Sequence, residues 1–140
     1  YQREVYRKVD NGESLTGPVL NNIMRDVYEQ FFGDAVELTD GTELTWMRQP
    51  HYYMGLYSYT YSAGLTIGTV VSQKIKQEGQ PAVDAWLETL KAGGSQSPIE
   101  LAKIAGVDIT TDAPLKATIK YISDLVNEAE QLTNEIEQQD

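Results

Sequence analysis

The chain of 140 residues contains no cysteine and a single histidine. Disulfides, thiolate metal sites and thiol nucleophiles are therefore excluded, and one imidazole alone cannot build a zinc site. A cysteine-free chain fits a reducing compartment, so a cytoplasmic location is the expectation. Phenylalanine and tryptophan are scarce, two of each, against nine tyrosines. No apolar run approaches the ~20 residues that span a bilayer, and no signal-peptide pattern is present, so no membrane partner is expected. Basic residues are few: 11 Lys and Arg face 21 Asp and Glu, giving a formal net charge of −10. Such a surface repels phosphates, which argues against nucleic acid as a partner. HExxH, GxSxG, GxGxxG and P-loop signatures are all missing.

Amphipathic helical patterns are what remain, and they predict an all-α fold: a bundle of about five to six helices over residues 1–140 as a single domain. Val5, Tyr6 and Val9 lie on one side of a first helix that ends at the turn Asp10-Asn11-Gly12. Thr16 is placed to cap a second helix, with Pro18 in its first turn and Leu20, Ile23, Met24, Val27, Tyr28 and Phe31 at helical spacing. Residues 34–46 read as an ordered loop, with weak alternation that also suits a hairpin. Pro50 is expected to open a long helix running from His51 to Glu78, in which Gly64 and Gly68, one turn apart, let another helix approach. A helix from Ala82 to Lys91 follows, buried through Val83, Trp86, Leu87 and Leu90. Ser97-Pro98-Ile99-Glu100 is a capping box for the next helix, which stops at Gly106. The last helix, capped by Thr110–Pro114, carries Leu115, Ile119, Ile122, Leu125, Val126, Ala129, Leu132 and Ile136. Every charge after Lys120 is acidic, and residues 135–140 are expected to fray.

The chain opens on Tyr1 within a helical pattern that has no cap ahead of it, which reads as a piece of something longer.

Five of the nine tyrosines fall between His51 and Tyr61. Tyrosine is a middling helix former, so propensity does not explain the cluster. On a helix these rings would spread around most of the circumference, some against a core and some facing a cleft. Phenol hydroxyls can donate to a developing oxyanion, and histidine can donate or move a proton near neutral pH. The same rings would also serve as plain core filler.

The run Trp46-Met-Arg-Gln-Pro-His-Tyr-Tyr-Met-Gly-Leu-Tyr-Ser-Tyr-Thr-Tyr-Ser-Ala-Gly64 resembles the C-terminal signature of the oligoendopeptidase F family, zinc metallopeptidases related to thimet oligopeptidase. That signature runs roughly W-x-R-x-P-H-F-Y-x-x-F-Y-x-Y-x-Y-A-x-G. Further likeness lies in Gly33-Asp-Ala-Val, in Lys91-Ala-Gly-Gly-Ser followed by Pro98, and in Ala105-Gly-Val-Asp-Ile-Thr-Thr. The resemblance implies the C-terminal part of a larger all-helical peptidase whose zinc is held upstream by HExxH and a glutamate. This chain would then bind no metal itself and would be inactive alone. It implies His51, Tyr53 and Tyr59 as catalytic groups that stabilise the tetrahedral intermediate, with Tyr59 favoured as oxyanion donor, and Tyr57 and Tyr61 as substrate-binding groups. Tyr52 stands where the family more often has phenylalanine, so its hydroxyl is not needed. Leu56 and Ser62 replace a usual phenylalanine and alanine. The implied partners are short peptide substrates and the upstream part of the same enzyme, with self-association where covered faces are left bare. The alternative reading is a free-standing helical module with a tyrosine-lined groove for a peptide or protein.

Overall fold

The computed structural model describes residues 1–138, and they form an all-α fold. In order, the helices are α1 (Gln2–Asp10), α2 (Gly17–Phe32), α3 (Thr45–Arg48), α4 (Tyr59–Glu78), α5 (Gln80–Ala92), α6 (Pro98–Ile104) and α7 (Ala113–Glu137), joined in places by short 3-10 turns. The chain packs as two compact units, Tyr1–Thr60 and Tyr61–Asp140.

In the first unit α2 is the central element. Ile23 and Met24 are its buried residues, and Met24 is only 1% exposed. Asn21 and Arg25, on the same face, tie down the following segment. Asn21 Oδ1 accepts from the Trp46 indole N–H at 2.8 Å, and Arg25 pairs with Glu43 at 2.8 Å. Residues 34–46 are therefore pinned to α2 as two 3-10 turns, Gly33–Ala35 and Thr42–Leu44, followed by the single turn of α3, rather than as a hairpin. The predicted capping position Thr16 is extended, as a cap should be, but its hydroxyl makes no capping bond.

In the second unit α4 presents Ile67, Val70, Val71 and Ile75 at helical spacing. They pack with Trp86 of α5 and with Ala105, Val107 and Ile109 after α6. Val107 is 2% exposed, and burying such a side chain is worth roughly 1.5 kcal/mol or more. Thr118 is buried on α7, and its hydroxyl donates to the Thr66 carbonyl of α4 at 3.3 Å. The capping box forms as predicted: the Ser97 amide donates to Glu100 Oε2 at 2.9 Å and the Ser97 hydroxyl accepts from the Glu100 amide at 3.4 Å. Gly106 ends the α6 region with φ +77, and Lys74 lies so close that a side chain there would meet its Cε at 2.8 Å.

Three expectations need correction. The long helix does not begin at His51: Pro50–Tyr53 is a 3-10 turn, Gly55 takes φ +57, and α4 starts only at Tyr59. Among the described residues no helix covers Gly64 or Gly68, because a side chain at either would meet nothing within 4 Å. On α5 the fully buried residue is Ala82, while Leu87 and Leu90 are exposed. Helix α7 runs through Glu137; residues 139 and 140, at the end of the segment expected to fray, lie outside the described residues. No helix among the described residues is long and apolar enough to cross a membrane.

Candidate functional site

The His51–Tyr61 segment is an ordered turn leading into a helix, and local chemistry explains why. Gln49 precedes Pro50 and is extended (φ −90, ψ 103), as a residue before proline must be. Proline then sets the first turn, and the Tyr52 and Met54 amides donate back three residues, to the Gln49 and His51 carbonyls. Gly55, in the left-handed region, reverses the chain, and the Tyr57 amide donates to the Gly55 carbonyl at 2.7 Å. A continuous α-helix would have committed the His51 and Tyr52 carbonyls to amides four residues on.

Those carbonyls are held by another part of the chain. The side-chain amide of Gln2 on α1 donates to the carbonyls of His51 (3.3 Å), Tyr52 (3.2 Å) and Gly55. Gln2 is 7% exposed, a buried polar residue whose donors are aimed at one loop. An amide nitrogen has two hydrogens, so the three carbonyls share them. Sequence reasoning missed Gln2. The signal was present, because Gln2 heads the same helical stripe as Val5, Tyr6 and Val9. A polar residue at the head of an apolar stripe needs a buried partner. The expected apolar side is itself open, since Tyr6 and Val9 are exposed.

The side chains then fall into place. The His51 ring stacks on Tyr57, with centroids 5.3 Å apart and planes 7° from parallel. Its Nδ1 meets the Gln49 side-chain amide at 2.8 Å. With that amide donating, Nδ1 accepts and the ring hydrogen sits on Nε2. Tyr52 packs against Tyr1, with ring centroids at 5.1 Å. Burial, and then neighbouring Tyr28, push the Tyr52 phenol above its ordinary value. The Tyr1 phenol is pushed up to about 12, by burial first and then by the nearby phenols of Tyr53 and Tyr52. A cavity of about 390 Å³ lies between α1, α2 and the turn, lined by Tyr1, Gln2, Met24, Tyr28, Tyr52 and Tyr59 among others.

Two groupings of the predicted residues result. His51 and Tyr57 form a stacked pair, while Tyr59, largely in solvent, contributes to the lining of the same cavity as Tyr52. Tyr53 and Tyr59 are 66% and 67% exposed, so these two phenols face outward rather than into a core. Tyr61 opens the second unit on the exposed side of α4. The predicted spread of the five rings around one helix does not occur, since Gly55 intervenes. Among the described residues no cluster of three or more His, Cys, Asp or Glu is placed to hold a metal ion.

The geometry defines a class of protein: an all-helical chain that presents phenol and imidazole groups on an ordered, buttressed turn. The chain belongs to peptidase family M3, whose match covers residues 1–121. Oligopeptidase PepF of Bacillus subtilis (strain 168) is 36% identical over 138 residues, covering 99% of this chain and 21% of that protein. The plasmid-encoded oligoendopeptidase F of Lactococcus lactis subsp. cremoris is 28% identical over 132 residues, with 94% and 22% covered. A crystal structure of a Chlamydophila abortus chain designated a peptidase superposes with a TM-score of 0.80 at 26% identity, covering 94% of this chain and 22% of that one. The chain thus spans about a fifth of the length of the curated relatives it matches.

Proposed function

We propose that this chain forms the substrate-binding and oxyanion-stabilising wall of a zinc-dependent oligopeptidase that hydrolyses short peptides in the cytoplasm. The observation that carries the reading is the buttressed turn: Gln2 and the His51–Tyr57 stack hold the backbone still while the Tyr53 and Tyr59 phenols face outward. Preorganised donors of this kind stabilise negative charge as it develops on a carbonyl oxygen, without reorganising at the moment of reaction. Tyr59 is the proposed oxyanion donor. Tyr53 and His51 act beside it, and Tyr57 and Tyr61 bind the peptide. Tyr52 has no catalytic part, in keeping with its half-buried ring against Tyr1. Membership of family M3 and likeness to relatives named oligopeptidase and oligoendopeptidase support the substrate class. The zinc that this activity uses takes its ligands from polypeptide outside the described residues, since these gather no suitable donors. Alone, the chain is expected to cleave no peptide.

The test is Tyr59→Phe in the full-length peptidase that carries this segment. Loss of one oxyanion donor lowers kcat by about 10²–10³, with KM little changed. Turnover within about threefold of the unaltered enzyme would remove Tyr59 from the donor role. A coding sequence that continues upstream of Tyr1 into an HExxH motif supports the reading, and a start codon directly before Tyr1 contradicts it.

A further inference from the structure

Helix α7 carries an apolar seam that no other part of the described residues covers. Over the stretch from Ile122 to Ile136, roughly 21 Å of helix at 1.5 Å per residue, Ile122, Leu125, Val126, Leu132 and Ile136 share one face and are 44% to 64% exposed. The spacing of Ile122, Leu125, Ala129, Leu132 and Ile136 alternates between three and four residues, the repeat of a helix that packs along another helix. The rows on either side of this seam are acidic: Glu128 and Glu135 on one side, Glu130 and Glu137 on the other. The lysines of α7 stand earlier and are already engaged, Lys116 with Asp112 at 2.7 Å and Lys120 with Asp124 at 2.8 Å. None of the ion pairs among the described residues involves the four glutamates.

We infer that this seam is a docking surface for an amphipathic helix of opposite charge, one with an apolar stripe flanked by lysine or arginine rows. Charge complementarity selects this occupant over a second copy of the chain. Two copies packed seam to seam would set glutamate rows against glutamate rows, between chains that already carry a net charge of −10 each. A basic-flanked helix buries the same apolar atoms and pairs all four carboxylates.

The experiment uses the 140-residue chain and two synthetic helical peptides. Both carry a leucine seam; one has lysine in its flanking rows and the other glutamate. Calorimetry is expected to give binding of the lysine peptide at least tenfold tighter than that of the glutamate peptide. Leu125→Ser with Leu132→Ser should weaken it tenfold or more while circular dichroism keeps the helix content, since both side chains are largely in solvent. The fourfold variant Glu128→Lys, Glu130→Lys, Glu135→Lys and Glu137→Lys should reverse the preference, although the net charge of the chain remains negative. Binding of the lysine peptide that ignores the serine changes would mean general attraction to an acidic protein and would overturn the inference. So would failure of the lysine peptide to bind, or a dimer seen by sedimentation that the serine changes abolish, since the occupant would then be a second copy.

Discussion

Gln2→Ala removes one side chain and tests how the tyrosine turn is held. The Gln2 amide serves three carbonyls with two hydrogens, so no more than two good bonds are lost. The His51 carbonyl keeps the Met54 amide, and the Gly55 carbonyl keeps the Tyr57 amide. The Tyr52 carbonyl keeps no backbone donor among the described bonds and takes the full loss. At about 1 kcal/mol net for each bond, the turn loses about 2 kcal/mol of local stability. Since 1.4 kcal/mol corresponds to tenfold, hydrogen exchange at the Met54 and Tyr57 amides should speed up about 30-fold. The second unit should keep its protection. Gln2→Glu sharpens the test. At neutral pH a carboxylate would face three carbonyl oxygens with nothing to donate, whereas its protonated form regains one donor. Its folded pKa therefore lies above the unfolded one. Protection should be present at low pH and disappear as pH rises through that raised value. Exchange in Gln2→Ala within twofold of the unaltered chain would refute the claim that this side chain organises the turn.

Tyr1 and the glycines of α4 offer two further tests. The Tyr1 phenol, pushed up to about 12 by burial and its neighbours, favours the protonated form in the fold. The stability it supplies is complete below the ordinary phenol value near 10 and is lost as pH climbs through about 12. Ultraviolet difference titration should show one late tyrosinate that Tyr1→Phe removes, and an unchanged titration would show that Tyr1 is not the late group. Gly64→Ala and Gly68→Ala, each meeting open space on α4, should raise the stability of the chain by about 1 kcal/mol apiece in urea unfolding. A loss of stability would mean that this face is closely packed after all.

Local cues account for most of the helix boundaries. Asp10-Asn11-Gly12 ends α1 because Gly12 readily takes φ +76, and Gly79 with Pro81 starts α5 through a φ of +69 followed by a proline in the first turn. The Ser97–Glu100 box starts α6 through bonds three residues long. Each device acts within one turn of chain, so its residues announce it. The burial pattern was less legible. Periodicity marked Leu87 and Leu90 as core, whereas the structure seats Ala82 in the core and leaves those leucines exposed. A helical repeat identifies an apolar face without saying whether anything covers it.

By itself the sequence determined the all-α class, the chemistry concentrated between His51 and Tyr61, the absence of a thiolate or multi-histidine metal site, and the likeness to the oligoendopeptidase F family. These depend on residue identity and short-range order, and both are written in the chain. The tertiary structure decided the shape of the tyrosine segment. Helical propensity and spacing were compatible with one helix from His51 to Glu78. A glutamine about fifty residues earlier takes the carbonyls that such a helix needs, and Gly55 supplies the reversal that leaves Tyr53 and Tyr59 facing outward. Competition for a backbone acceptor by a distant side chain leaves no periodic trace, so only the folded chain reveals it.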